Sequence, residues 1–378
     1  MAMAEPLGDA GLAAASNRFG LALFARLAGR GAKNVFVSPY SISAALTMAY
    51  AGAGGKTALA MDKTLGLSGA PLIEVLSASL SLKRSLEAAD SLVRLDIANS
   101  LWARQGLPVR PEYQQAIERN FDGRMSVLDF GSPEAPRTIN AWVKEKTNGK
   151  IEKIIEKIPA DMVLYLINAI YFKGSWQSRF DQAKTVEDDF YLSNEKTKKL
   201  PFMRQDGDYQ YFKGRDFQAV RLPYGTGRLA MYVFLPDKRD GLAGFLKKLN
   251  AKNWQAWLFG FAKAKGQVAL PRFKAEYEKE LSAELTALGM GPAFSDAADF
   301  TGMARAPLAI SEVRHKAVLE VNEEGTEAAA VTSVGMRITS VRPEPPPFVM
   351  VVDHPFFMAI VDQRTGAILF MGVIYEPK

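Results

Sequence analysis

Apolar residues at helical spacing run through much of the chain. The clearest case is 9–28, where Phe19, Leu23 and Leu27 follow one another at four-residue intervals and predict an amphipathic helix. The segment 34–53 begins as a short strand, and Pro39 then stands in the first turn of a helix. Further helices are predicted at 111–121, at 138–154 with an end at Asn148-Gly149, at 240–260 and at 279–289.

Strands are predicted where apolar residues alternate or form short continuous runs. Residues 92–104 alternate, whereas 162–176 (MVLYLINAIYFKGSW) is almost continuously apolar, which is typical of a strand buried on both faces in the middle of a large sheet. Further strands are predicted at 217–225, 228–236, 267–278, 316–324, 348–362 and 367–374. The pattern indicates a mixed α+β fold with a large sheet and a second β system near the C-terminus.

The stretch 323–335, EEGTEAAAVTSVG, combines strand propensity with very little side-chain bulk. Its β-branched residues Thr326, Val331, Thr332 and Val334 suit a strand, and its side chains are too small for a good core helix. A proline-rich segment, VRPEPPPF, follows at 341–348. A segment that can form a strand is therefore followed by a segment whose backbone is restricted by proline.

The composition excludes several functional classes. The chain has 378 residues and no cysteine, so disulfide scaffolds, thiol nucleophiles and cysteine-based zinc sites are excluded. Its two histidines, His315 and His354, are too few for a histidine-rich metal site, and a Ser-His-Asp triad would depend on one of them. No cofactor is predicted.

Neither a membrane nor a nucleic acid is predicted as a partner. The longest apolar run, 163–172, falls short of the ~20 residues that a span needs. The net charge is +6, but basic residues such as those at 196–199 lie in polar, turn-like segments, which favours a solvated surface. The N-terminus lacks the basic region and apolar core of a signal peptide, which indicates an intracellular protein or a mature form.

Four segments, in order, resemble the serpins. They are NVFVSPYSIS, LINAIYFKGSW, HKAVLEVNEEGTEAAA and DHPFFMAIVDQRTGAILFMG, and the likeness extends from about residue 10 to 377. The resemblance implies one serpin domain over 1–378, with a large main β-sheet A, sheets B and C, about eight or nine helices, and an exposed reactive-centre loop at about 323–348. It leaves an extracellular or a cytoplasmic location open, and it implies a monomer.

The resemblance gives the small-residue stretch a function. In serpins a target protease cuts the loop and forms an acyl-enzyme, and the cut loop inserts into the main sheet as an extra central strand. Alternate side chains of an inserted strand enter the core. The even-numbered residues Thr326, Ala328, Ala330, Thr332 and Val334 are all small and uncharged, whereas Glu327 belongs to the set expected to face outward. The implied hinge is Glu323, Glu324, Gly325, Thr326, Glu327, Ala328, Ala329 and Ala330.

The resemblance also implies two structural sites that control loop entry. The shutter, a polar cluster under the middle of the main sheet, would contain Ser38, Ser41, Asn168 and His315. The breach, where the loop first enters, would contain Trp176, Arg272 and Glu323, the last two as an ion pair that could be bidentate or an exposed pair of little value. His354 is interpreted as structural, and no residue is assigned a catalytic function.

The position of the reactive bond stays open. Counting fourteen residues from Gly325 gives Thr339-Ser340, whereas counting back from DHPFF leads to the neighbourhood of Glu344, before a proline that makes a poor target. Thr339 suits an elastase- or subtilisin-like pocket and is preferred. Arg337-Ile338 is the alternative and suits a trypsin-like protease, and Ile338-Thr339 is also free of proline.

Three functions compete at this point. The preferred one is an inhibitor of serine proteases that acts by suicide trapping, whose partner is the target protease. The second is a non-inhibitory serpin, such as a carrier, a chaperone or a storage protein, although the hinge lacks the bulky, charged or proline residues that such members tend to have. An enzyme is disfavoured because the chain lacks cysteine and a phosphate-binding loop.

Overall fold

The computed structural model describes residues 7–159, 161–193, 196–325 and 345–378. Within these ranges the chain forms nine α-helices and fourteen strands. The helices are α1 (Asp9–Ala28), α2 (Pro39–Tyr50), α3 (Gly55–Leu65), α4 (Leu72–Glu87), α5 (Pro111–Phe121), α6 (Glu134–Lys146), α7 (Leu242–Lys248), α8 (Ala251–Phe259) and α9 (Ser282–Leu285). The strands are β1 (Val35–Val37), β2 (Val93–Arg104), β3 (Arg124–Leu128), β4 (Leu164–Gly174), β5 (Val186–Tyr191), β6 (Thr197–Lys213), β7 (Phe217–Tyr224), β8 (Leu229–Pro236), β9 (Ala262–Pro271), β10 (Phe273–Glu280), β11 (Glu312–Val321), β12 (Phe348–Val351), β13 (Phe356–Asp362) and β14 (Ile368–Ile374).

A five-stranded sheet has the order β10-β11-β4-β2-β3. Its central strand, β4, is parallel to β11 and antiparallel to β2, and all but one of its residues are buried. One face of β4 belongs to the main core, and the other packs with Trp142 and Val143 of α6 in a second, smaller core. The prediction of a strand buried on both faces in the middle of a sheet is confirmed.

The remaining strands form a nine-stranded sheet with the order β1-β14-β13-β8-β7-β6-β9-β12, and β5 pairs with β6. The resemblance implies two smaller sheets, B and C, in this part of the chain. In the structure their strands form one hydrogen-bonded sheet, because β6 pairs with strands of both. This strand of 17 residues pairs with β5 and β9 along its length and with β7 at its end. Two of the predicted strands are divided at or next to a proline, which lacks the N–H that a ladder requires, whereas Pro223 lies within the undivided β7. Thus 267–278 becomes β9 and β10, and 348–362 becomes β12 and β13.

The predicted helix starts and stops are largely confirmed. The Ser38 hydroxyl accepts a hydrogen bond from the Ser41 N–H at 3.1 Å, and Pro39 follows in the first turn of α2. Helix α6 begins four residues before the predicted 138 and ends at Lys146, and Asn148 then adopts a positive φ of 50°. Helices α3 and α4, and strands β3, β5 and β6, are additional elements to which the hydrophobic pattern assigned no structure.

Candidate functional site

The chain reverses direction directly after β11, in a turn over Asn322–Gly325. The backbone groups of Asn322 and Gly325 exchange two hydrogen bonds, of 3.0 and 3.2 Å. Gly325 has a φ of 112°, and a Cβ at this position would lie 2.3 Å from the Gly174 carbonyl oxygen and 2.4 Å from the Trp176 nitrogen. Only glycine fits, because the conformation is left-handed and there is no room for a side chain. The turn thus holds the start of the predicted hinge against the end of β4.

Glu323 and Arg272 form a bidentate ion pair beside this turn. The Arg272 Nε lies 2.7 Å from both carboxylate oxygens of Glu323, and an Nη lies 2.6 Å from one of them. The Thr185 hydroxyl also donates to Glu323, at 2.5 Å. Burial alone would raise the pKa of Glu323, but the hydrogen bonds from Arg272 and Thr185 outweigh it and hold the pKa below its usual value. The Glu323 side chain is 3% exposed, so this is not an exposed pair of little value.

Arg272→Met is expected to lower the free energy of unfolding by roughly 1–3 kcal/mol, because it leaves a buried carboxylate without its cation. We place the expected loss below that for a fully buried pair, since the Arg272 side chain is 43% exposed. The measurement is the urea midpoint near neutral pH. Arg204→Met is the matched control, since Arg204 pairs with the half-exposed Asp188 at the surface. Equal losses in the two variants would contradict the special value of the Arg272 pair.

Trp176 contacts the turn through two hydrogen bonds. Its indole N–H donates to the Asn322 carbonyl at 2.8 Å, and its backbone N–H donates to the Glu324 carbonyl at 3.0 Å. The ring is buried and stacks on Tyr224 with centroids 4.3 Å apart. The structure therefore brings together Trp176, Arg272 and Glu323, the three residues of the predicted breach. Their function in loop entry stays a prediction.

The four predicted shutter residues also meet, under the middle of the five-stranded sheet. Asn168 of β4 and His315 of β11 are directly paired in register, and the His315 Nδ1 lies 2.5 Å from the Asn168 Oδ1. The Asn168 amide donates to the Ser41 hydroxyl and to the Ser41 carbonyl at 3.1 Å. The Ser38 backbone N–H donates to the His315 Nε2 at 3.3 Å. All four are almost completely buried, so each depends on the others for hydrogen bonds.

These contacts assign the protonation state of His315. Its Nε2 accepts from the Ser38 N–H and therefore carries no proton, so its Nδ1 donates to Asn168. Burial lowers the pKa of His315 to about 3, which keeps the ring neutral at physiological pH. The neutral ring links α2 to both central strands of the sheet.

The free energy of unfolding is expected to decrease as the pH is lowered below 6.5, because of His315. The unfolded chain binds a proton on this ring near pH 6.5, whereas the folded chain does so only near pH 3. Folding therefore excludes a proton between these values, and the free energy of unfolding should drop by about 1.4 kcal/mol for each pH unit below 6.5, roughly 3 kcal/mol by pH 4. Above pH 6.5 the ring is neutral in both states and contributes no slope.

Denaturant unfolding of the wild type and His315→Gln across this range tests the expectation. In the variant, the pH dependence of the free energy of unfolding between pH 3 and 6.5 should be smaller by the contribution of one proton, whatever the stability of the variant at pH 7. His354→Gln is the control, since His354 is the second buried histidine and lies outside the polar cluster, with its ring bonded to Asp353 and to the Pro236 carbonyl. Parallel curves for the wild type and His315→Gln would contradict the neutral assignment.

Asn99 joins the polar cluster of the predicted shutter residues and was missed by the sequence analysis. Asn99 lies on β2, in register with Asn168 of β4, and its Oδ1 accepts from the Asn168 amide at 2.5 Å. Asn99, Asn168 and His315 thus form a row across three adjacent strands. The available signal was an asparagine within the alternating strand 92–104, where asparagine is disfavoured.

His354, interpreted as structural, is buried between β12 and β13 and bridges to the end of β8 through the Pro236 carbonyl. Among the residues that the structure describes, no group of three or more histidine, aspartate or glutamate side chains could hold a metal ion. None of the described helices is long and apolar enough to cross a membrane. The predicted hinge residues Thr326, Glu327, Ala328, Ala329 and Ala330, and the candidate reactive bonds at Arg337, Ile338, Thr339 and Ser340, lie outside the described residues.

Residues 14–377 match the family model described as Serpin (serine protease inhibitor). Iripin-2 of Ixodes ricinus is 38% identical over 97% of this chain and 94% of that protein. The leukocyte elastase inhibitor of Bos taurus is 36% identical over 97% of this chain and 99% of that protein.

Two solved structures show the same fold over almost the whole chain. Human thyroxine-binding globulin in complex with thyroxine has a TM-score of 0.89 and 27% identity, over 97% of this chain and 98% of that one. The native thermophilic serpin tengpin has a TM-score of 0.86 and 30% identity, over 96% and 94% of the two chains.

Proposed function

Since this chain belongs to the serpin family, we propose that it inhibits a serine endopeptidase by suicide trapping, in which the chain beyond Gly325 is cut and inserts into the five-stranded sheet. The observation that carries the proposal is the parallel pair of β4 and β11 at the centre of this sheet. Gly325, which follows β11, already forms an antiparallel bridge to Ser175 at the end of β4. An inserted strand would run antiparallel to both neighbours, which is the more stable pairing.

The bridge between Ser175 and Gly325 gives the register of the proposed strand. Each step down β4 would match one step beyond Gly325, so Thr326 would lie opposite Gly174 and Met336 opposite Leu164. Eleven residues would therefore cover the whole length of β4. Directly opposed residues point to the same face of a sheet, so the faces of β4 indicate where each inserted side chain would go.

The even-numbered residues would enter the main core. Ala328 would lie opposite Phe172, and Thr332 opposite Asn168 in the shutter row. Phe172 is fully buried, so a large or charged side chain opposite it would be overpacked or desolvated. The small, uncharged set in the sequence suits these positions.

The odd-numbered residues would not face solvent as expected from the sequence. On β4, Ile167, Ala169 and Tyr171 are buried in the second core beneath α6. Residues opposite them would also have to be small, and Ala329, Val331 and Ser333 are small. Glu327 is the exception, because it would lie opposite Lys173, which is only partly buried.

The register also bears on the choice of reactive bond. Either candidate cut leaves the eleven residues that cover β4, but a cut after Thr339 leaves three further residues and a cut after Arg337 leaves one. With the longer connection, the eleven residues could insert completely and carry the attached protease to the far end of β4 at Leu164. The protease would then be compressed against that end of the sheet. We therefore keep Thr339-Ser340 as the preferred bond and an elastase- or subtilisin-like protease as the preferred target.

Incubation with elastase, subtilisin and trypsin, followed by a denaturing gel, tests the function. A complex that survives SDS supports trapping, and mass spectrometry of the released C-terminal peptide identifies the bond. Clean cleavage without a complex would support a non-inhibitory serpin instead. Such members are structurally close to this chain, since uncleaved ovalbumin has a TM-score of 0.87 and 27% identity.

Two substitutions separate the candidate bonds. If Thr339 precedes the reactive bond, Thr339→Arg should create a trypsin inhibitor and weaken trapping of elastase or subtilisin, because the residue before the bond fills the protease pocket. Arg337→Ala should then change little. We expect trypsin to cut the wild type after Arg337 without being trapped. Stable trypsin complexes of the wild type that disappear in Arg337→Ala would assign the bond to Arg337.

A further inference from the structure

The whole net charge of the chain resides in one short segment. Seven of the 47 basic residues and one of the 41 acidic residues lie between 238 and 265, so this segment carries +6, and the rest of the chain, with forty of each sign, is neutral. The basic residues are all exposed, and they are Lys238, Arg239, Lys247, Lys248, Lys252, Lys263 and Lys265. Lys248 and Lys263 pair with Asp216 and Asp208 from outside the segment, and Arg239 lies over the ring of Tyr191. We call residues 238–265 the basic segment.

Aromatic residues attach the basic segment rigidly to the nine-stranded sheet. Phe245 of α7 stacks on Trp257 of α8 with centroids 5.0 Å apart, and Trp257 contacts Phe234 of β8 at 5.8 Å. The Asn253 amide donates to the Lys248 carbonyl at 2.7 Å and joins the end of α7 to the start of α8. The segment is therefore a fixed platform whose inner side is apolar and packed.

The outer face of α8 carries an exposed phenylalanine among these cations. Lys252, Ala256 and Phe259 follow at helical intervals of four and three residues, and all three are exposed. Phe259 is 90% exposed, more than any other large apolar side chain in the described part of the chain. Its Cα lies about 10 Å along the helix axis from that of Lys252. Lys263 follows shortly after, at the start of β9.

We propose that the basic segment docks on the surface of an anionic lipid membrane, with Phe259 entering the interface and exposed cations of the segment, Lys247 and Lys252 among them, contacting lipid headgroups. Clusters of four to eight basic residues suit anionic lipids, and aromatic side chains are favoured at the depth of the headgroups. This departs from the expectation of no membrane partner, which was based on the lack of a spanning segment. It is independent of the proposed inhibition, because the basic segment includes no residue of the breach, shutter or hinge.

Phe259 decides between a membrane and a soluble polyanion. A sulfated polysaccharide would be attracted by the same cations but offers no apolar phase for an exposed phenyl ring. An isolated exposed apolar residue is ordinary on a protein surface. Here, however, the most exposed such residue of the described chain lies within the segment that carries all of the net charge. The membrane is the partner for which both features are favourable.

The absence of cysteine allows a site-specific test on the intact protein. Phe259→Cys is labelled with an environment-sensitive fluorophore, and Leu59→Cys, at a 71% exposed position on α3, is the matched control. Each is mixed with vesicles of phosphatidylcholine, alone or with about 30% phosphatidylserine. We expect a blue shift of the label at 259 with the anionic vesicles, no shift at 59, and reversal at high salt.

Sedimentation with the same vesicles measures the charge contribution. Each lysine near an anionic surface contributes roughly a five-fold increase in partitioning. Lys247→Glu/Lys252→Glu should therefore reduce binding by roughly 30-fold or more. Lys56→Glu/Lys184→Glu, which changes the net charge equally at exposed positions outside the segment, should change it much less. Phe259→Ser should reduce binding several-fold without altering the charge.

Several results would overturn the proposal. These are no binding to anionic vesicles, equal binding to neutral vesicles, equal blue shifts at 259 and 59, or binding that is unchanged by Phe259→Ser. Retention on a sulfated polysaccharide that requires Lys247 and Lys252, without vesicle binding, would assign the segment to a soluble polyanion instead.

Discussion

Cleavage after Thr339 is expected to raise the midpoint of thermal unfolding by roughly 6–20 °C, from backbone hydrogen bonds alone. In the intact chain β4 and β11 bond to each other in a parallel ladder. After cleavage, residues 326–336 would enter between them and exchange this ladder for two antiparallel ladders. The exchange would add about ten hydrogen bonds, each with a net value of about 0.5–1.5 kcal/mol.

The size of the shift follows from the length of the chain. Ten such bonds contribute roughly 5–15 kcal/mol, which is comparable to the stability of a whole domain. An unfolding entropy of about 2.1 cal/mol/K per residue gives roughly 0.8 kcal/mol/K for a chain of this size, or about 1.3 °C for each kcal/mol. Burial of the small even-numbered side chains against Phe172 and its neighbours would add to this.

Scanning calorimetry of the intact chain and of the chain cut in the loop by a protease that forms no SDS-stable complex gives the comparison, because a trapped protease would stay attached to the cut chain. The control is the same cut in Thr326→Arg, in which insertion should be blocked and the gain should be small. Coincident curves for the intact and the cut wild type would exclude insertion as a source of stability.

Local sequence was sufficient to predict much of the fold around the site. The continuous apolar run of β4 indicates a central strand because a strand with both faces covered has no polar face. Ser38-Pro39 predicts the start of α2 because the hydroxyl and the ring each satisfy a requirement of the first helical turn. Such signals lie within a few residues of each other and need no tertiary information.

Long-range pairing could not be obtained in the same way. The row of Asn99, Asn168 and His315 depends on the register of three strands that are far apart in the sequence, and nothing local to Asn99 specifies its partner. The packing of α6 against β4 also cannot be obtained from local sequence. Without it, the odd-numbered hinge residues were expected to face solvent. The charge of the basic segment can be counted in the sequence, but the outer position of Phe259 beside Lys252 follows only from the packing of α8.

Thr326→Arg is expected to convert the inhibitor into a substrate. Thr326 would be the first residue to enter the sheet, opposite Gly174. A Cβ on Gly174 would lie 3.1 Å from the rings of Phe172 and Tyr224, both of which are fully buried. A guanidinium entering this site would lose its water without gaining a carboxylate, at a cost of several kcal/mol. Insertion would stall at its first step, and hydrolysis of the acyl-enzyme would then be the faster process.

The measurement is the number of inhibitor molecules consumed for each protease molecule blocked. Each 1.4 kcal/mol added to the insertion barrier slows insertion about ten-fold relative to hydrolysis, so the ratio should rise by at least an order of magnitude. Glu327→Gln is the control, because residue 327 would lie opposite the partly exposed Lys173, near the surface. Glutamine keeps a long polar side chain that can remain solvated there, whereas arginine would face a like charge. If both variants raise the ratio equally, the assignment of faces is wrong, and if neither does, residue 326 does not enter the sheet during trapping.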